Sequence, residues 1–180
     1  MRALIVGMAA AVTGSFVQAL APSESTALFR RAMIAIALLL MAVAYALVAN
    51  RVAGWRRGVL RVVAGLQLGW LGWTLARPFV VDALGDAWFD DLGYRLISAG
   101  LWWSGIVLLT IAARAWWKPT PWLLVAAIVA VVLEALPWAP YLAPAFDDAT
   151  ATLEPWIRPI RELVTSVAIV ILVRGILRSA

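Results

Sequence analysis

Apolar residues along this chain gather into six runs, each about long enough to cross a hydrocarbon layer ~30 Å thick, with short polar connections between them. The runs fall at about 3–21, 32–50, 60–79, 92–113, 121–140 and 158–177. They are apolar on nearly every side, the pattern of helices that face lipid as well as one another. The expectation is an all-α integral membrane protein: a six-transmembrane-helix bundle forming a single transmembrane domain over 1–180. The stretch PFVVDALGDAWFDD breaks the pattern between the third and fourth runs. It sets Asp82, Asp86 and Asp90 at i, i+4, i+8 with Val80, Leu84, Ala87 and Trp88 opposite. That spacing predicts a short amphipathic helix on the outer surface. Carboxylates so placed could collect a divalent cation, but no EF-hand-like loop accompanies them, and a solvated acidic face is the better reading.

The first run, MRALIVGMAAAVTGSFVQALA, imitates a secretory signal peptide with its basic start and Ala19-Leu20-Ala21 ending. Pro22 would follow the cut, and we read the run as a retained first span. Gly7, Ala10 and Gly14 give it a small-residue face for close helix contact, and Thr13, Ser15 and Gln18 near its far end read as interhelical hydrogen-bonders. The third run carries a second such face in Gly65, Gly69 and Gly72, with Gln67, Trp70, Thr74 and Arg77 on another side.

Composition sharpens the class. The chain is 64% hydrophobic with a mean hydropathy of +0.93, well above the ~45–50% apolar share of soluble domains. A net charge of +5 would prompt a nucleic-acid reading in a soluble protein; here membrane topology explains it. Nine basic residues (Arg2, Arg51, Arg56, Arg57, Arg61, Arg114, Lys118, Arg174 and Arg178) fall on one side of a six-span path, which marks that side and both termini as cytoplasmic. Nine of the ten carboxylates fall on the other side. Fourteen of the 15 basic residues are Arg, and with the abundance of Ala, Leu, Val and Trp this points to a GC-rich bacterial genome and so to a bacterial inner membrane. The absence of Cys and His removes disulfides, thiolate nucleophiles, Cys/His zinc sites, His-ligated haem and Ser-His-Asp triads.

Two features exceed what a plain bundle needs. Glu134 lies roughly 18 Å along the fifth run, past the midplane of a bilayer, where an ionisable group costs several kcal/mol unless protonated or paired. Pro137 frees the carbonyl of Leu133 beside it. Arg158 or Arg161 at the start of the sixth run, next to Glu162, is the expected partner. The group reads as a pin between two helices, as an ion or proton site, or as a ligand contact. The second feature is tryptophan: seven of the 11 fit an interfacial belt, whereas Trp70, Trp73, Trp102 and Trp103 fall near mid-depth on consecutive helices. With Gln67 they would line a groove for lipid, quinone or carotenoid by apolar contact, or a partner interface; ordinary packing is the plainer reading. Arginines at outer helix ends (Arg30, Arg95, Arg158) follow an acid on the same segment (Glu24, Asp91, Glu154), which predicts local pairing and snorkelling.

No motif identifies a family. The tryptophan content is similar to that of tryptophan-rich outer-membrane and mitochondrial sensor proteins, whose five-helix pattern does not fit. Six short helices with a polar outer end resemble the substrate-binding components of vitamin importers in architecture alone. The sequence therefore predicts a non-enzymatic inner-membrane protein, an accessory or assembly subunit packing against a membrane partner, a second copy or an apolar cofactor. The alternative is a small transporter or ion- or proton-conducting protein using Glu134 and the outer arginines. An intramembrane enzyme is least supported, because acid–base work needs a positioned pair and only Glu134 is deep.

Overall fold

A computed structural model describes residues 1–85, 92–113, 121–122, 125–126, 128–129, 132 and 147–178. Among these the chain is all helical: α1 (Arg2–Leu20), α2 (Glu24–Ala49), α3 (Trp55–Leu84), α4 (Leu92–Ala112) and α5 (Asp147–Arg178). Three of them, α1, α2 and α3, are long and apolar enough to cross a membrane. The fifth span expected from the sequence, 121–140, is represented by scattered helical residues, the rest lying outside the description.

α1 and α2 form a tight antiparallel hairpin. Ser23 caps α2: its hydroxyl accepts from the Thr26 N–H at 3.2 Å while its own N–H donates to Thr26 Oγ1 at 3.0 Å. This box starts α2 at Glu24, eight residues before the apolar run begins. The Thr26 hydroxyl also donates to the Ala21 carbonyl at 2.6 Å, which ties the end of α1 to the start of α2. The glycines of α1 set how close the helices come. A Cβ at Gly7 would lie 3.0 Å from the Ala37 carbonyl oxygen, and one at Gly14 would lie 2.9 Å from Met33 Cβ and 3.2 Å from Arg30 Cα. The small-residue face expected on the first span is therefore pressed against the backbone of α2.

The corner between α2 and α3 is equally short. Gly54 takes a left-handed φ of 64°, which a side chain would strain, and its carbonyl accepts the Arg57 N–H at 3.1 Å. Arg57 Nε donates back to the Val52 carbonyl at 3.1 Å, and Val52 is buried beneath.

Prolines stop fewer helices than expected. α3 runs through Pro78 to Leu84 and ends at Gly85, whose φ of 82° is the left-handed conformation that commonly closes a helix. The separate amphipathic helix expected from 78 onward is replaced, as far as Leu84, by this extension; Asp82 is exposed on it, and Asp86 and Asp90 lie outside the described residues. α5 likewise begins at Asp147 and contains Pro155 and Pro159 in its interior, so Glu154 and Pro155 do not begin it. A proline removes one backbone bond and leaves the rest of the ladder intact, a loss long helices can absorb.

α2 is the axis of the bundle: 44% of its apolar window is buried, against 28% for α1 and 22% for α3. The core joins Leu4 and Met8 of α1, Met41, Tyr45 and Val48 of α2, Leu60 and Val63 of α3, Leu109 and Ala112 of α4, and Ile169, Val173 and Ile176 of α5. These residues fall toward the end of the bundle that carries Arg2, Arg51, Arg56, Arg57, Arg174 and Arg178. At this end Arg56 lies over the Trp55 ring, 5.9 Å from its centroid.

Candidate functional site

Polar side chains that interrupt the apolar helices fall into two groups, one at each level of the bundle. The hydroxyls of Thr74, Thr110 and Thr165 belong to neither. Each donates to a carbonyl one turn back, on Trp70 at 2.9 Å, Ile106 at 2.8 Å and Arg161 at 2.8 Å, and so is satisfied within its own helix.

The first group joins α1, α2 and α5 at the end away from the arginine-rich corner. Arg30 Nε donates to Ser15 Oγ at 3.0 Å, and the Ser15 hydroxyl donates to Glu162 Oε2. Arg30 closes the triangle through Nη2, 3.6 Å from Glu162 Oε1. Ser15 is buried, and the Arg30 and Glu162 side chains retain only 17% and 12% exposure. Arg30 is six residues inside α2, about 9 Å from its start and two residues ahead of the apolar run that begins at 32, so the pair lies at the rim of the hairpin's apolar body. Arg158 and Arg161 act electrostatically on Arg30 from α5.

The close approach at Gly14 is what makes this triangle possible. Without a side chain there, α1 lies against Arg30 Cα and brings Ser15, the next residue, within reach of the guanidinium. α5 runs antiparallel to α1 and supplies Glu162 at the same depth. A carboxylate and a guanidinium drawn partly out of water are stabilised chiefly by such direct, charge-assisted bonds. Chemically the arrangement holds a charge pair in place.

The second group is Tyr45 on α2 and Gln67 on α3. Both are buried, at 0% and 8% exposure, and among the described residues neither the Tyr45 hydroxyl nor Gln67 Oε1 has a hydrogen-bond partner. They line a cavity of about 10 Å³ with Val63, Gly105, Ile106, Leu109 and Ile169.

Of the residues singled out in the sequence, Glu162 enters the first group and Gln67 the second. Arg158 is exposed and Arg161 half-buried on α5 near Arg30. Trp70, Trp73 and Trp103 are half-buried; the Trp102 side chain lies outside the description. Gln67 is turned toward Gly105 of α4, 3.9 Å from where a Cβ there would sit. Gly65, Gly69 and Gly72 are exposed, and among the described residues a Cβ on any of them would meet nothing within 4 Å. Glu134 and Pro137 lie outside the described residues. Sequence reasoning gave Arg30 the wrong partner, pairing it with Glu24 on its own helix, and passed over Tyr45. A tyrosine inside the run AIALLLMAVAYALVAN was the available signal, since a buried phenol needs an acceptor or donor.

Comparison with known proteins returned no match: no family model, no curated protein and no solved structure is significantly similar to this chain.

Proposed function

We propose that the chain is a non-enzymatic multi-pass protein of a bacterial inner membrane, acting as an accessory or assembly subunit that offers one face of α3 to a partner in the membrane. The observation that carries this is the open glycine stripe Gly65, Gly69 and Gly72. Helix association in lipid relies on close approach at small residues rather than on hydrophobic burial, and here the surface for it is exposed. A membrane-protein partner, a second copy of the chain, or an apolar cofactor such as lipid, quinone or carotenoid would meet this face, with Trp70 and Trp73 beside it. The ionic triangle supports the same reading, because its members hold one another across three helices.

Six spans with both termini in the cytoplasm form part of the proposal. α4 and α5 run in the same direction: Gly105 and Leu109 share a cavity with Ile169, and Gly175 comes within 3.7 Å of Ala113 at the next level. Two parallel neighbours require a return between them, and the apolar stretch 121–140 is long enough to supply it at about 1.5 Å per residue. Reporter fusions after Arg57, Lys118 and Ala180 should all read cytoplasmic, and one at Asp148 the outside; a single reversed reporter rejects the topology.

The chain has no cysteine, so Gly69→Cys introduces a unique thiol on the stripe. In native membranes it should cross-link to one defined partner, whereas a cysteine at the lipid-exposed Leu47 of α2 should not. Equal failure at both positions rejects the interface.

A second reading, ion or proton conduction, is favoured by the charged triangle alone. Glu162→Gln removes the charge and keeps the shape; loss of transport with normal assembly would select this reading.

A further inference from the structure

The cavity at the junction of α2, α3, α4 and α5 plays no part in the ionic triangle or the glycine face. Two polar residues line it among apolar ones. The Tyr45 hydroxyl can donate and accept, and Gln67 Oε1 can only accept; neither has a partner among the described residues. Leaving such groups unpaired in an apolar interior is costly, and more so in a membrane, where no solvent reaches them. The room between them is about 10 Å³, close to the volume that admits one water centre and far below what any organic ligand needs.

We propose that this cavity is a binding site for a single water molecule, which accepts from the Tyr45 hydroxyl and donates to Gln67 Oε1. The site bridges α2 to α3 at the level of Gly105 of α4 and Ile169 of α5. Glycine at 105 is the residue that leaves the space open: a Cβ there would stand at ordinary contact distance, 3.9 Å, from Gln67 Nε2, and a larger side chain would fill the room itself. Water suits the pair because it carries the bond from donor to acceptor across the gap between them. It donates to the amide oxygen and accepts from the phenol hydroxyl, so both requirements are met by one molecule in a space of about 10 Å³.

Two measurements on the purified full chain test the site. The first is the infrared difference spectrum between ordinary water and water labelled with heavy oxygen. The parent should show a sharp O–H stretch that shifts with the label, and it should vanish in Tyr45→Phe and in Gly105→Val. The second is a double-mutant cycle on melting temperature in mild detergent. Tyr45→Phe and Gln67→Leu should each lower it by about 3–6 °C, and the double variant by clearly less than the sum, because removing both leaves no unpaired group. A coupled cycle without a label-sensitive band would mean that the two side chains bond directly, and the proposal fails. Additive losses would mean that nothing bridges them, and the proposal fails equally. The infrared result on the parent alone decides the matter if a variant does not fold.

Discussion

In α1, Gly7 and Gly14 sit against the backbone of α2 so closely that an added Cβ would come within 3.0 Å of another atom, whereas in α3 the equally regular Gly65, Gly69 and Gly72 meet nothing within 4 Å among the described residues. Both stripes are spaced three and four residues apart, and both lie on helices long enough to span a membrane. What differs is the neighbour. The chain turns back on α1 after three residues, so α2 is delivered to its stripe by the connection itself. α3 gives one side to α2 and leaves its stripe outside. A row of small residues thus states that a backbone can come near; it does not state whose.

The comparison breaks first at Gly14. Gly14→Leu must displace Met33 and the backbone at Arg30, which overpacks the hairpin and pulls Ser15 from the guanidinium. We expect a loss of ~3 kcal/mol, read as a drop of roughly 6–12 °C in the detergent melting temperature. An unchanged melt would mean that α1 and α2 can separate without penalty.

Glu162→Ala should follow, costing ~1–3 kcal/mol by leaving Arg30 without its carboxylate. Adding Arg30→Leu should restore part of that loss, since the orphaned charge is then gone. A double variant no better than the single one would show that the pair contributes little. The smallest effect on the chain alone belongs to Gly69→Leu, within ~0.5 kcal/mol, because nothing stands in the way of the new side chain. Its effect on assembly should be complete: the cross-linked or co-purified partner disappears while the melt of the isolated chain stays put. A large fall in that melt would place α3's stripe inside the chain after all.

The helices themselves were legible because long apolar runs have few alternatives in lipid. Their ends were less so. α2 starts early on a Ser23–Thr26 box that lacks the usual Glu or Gln, α3 runs past the proline near which the third run was expected to end, and α5 begins well ahead of its own two prolines. Ser15 was legible as an interhelical donor, since a hydroxyl amid apolar residues has little else to do. Its partners were not: Ser15 and Glu162 are 147 positions apart, and nothing along the chain announces that α5 comes to lie beside α1. Charges read locally were assigned local partners, Glu24 for Arg30, when the fold offers a more distant and better buried carboxylate. Gln67 was visible as unusual, but its use depends on Tyr45 and Gly105 from two other helices.

The triangle of Ser15, Arg30 and Glu162 also carries a consequence for the order in which the protein is made. The α1–α2 hairpin leaves the ribosome early with Arg30 just ahead of its second apolar run, and the carboxylate that pairs with it, Glu162, arrives only with α5. A chain that stops short therefore keeps Arg30 without its carboxylate at the rim of the hairpin, and a partly buried charge left unpaired is destabilising. Completion and neutralisation are one event. A chain ending before α5 should be cleared faster in a pulse–chase experiment than the same chain carrying Arg30→Leu, and the full-length protein should show no such difference.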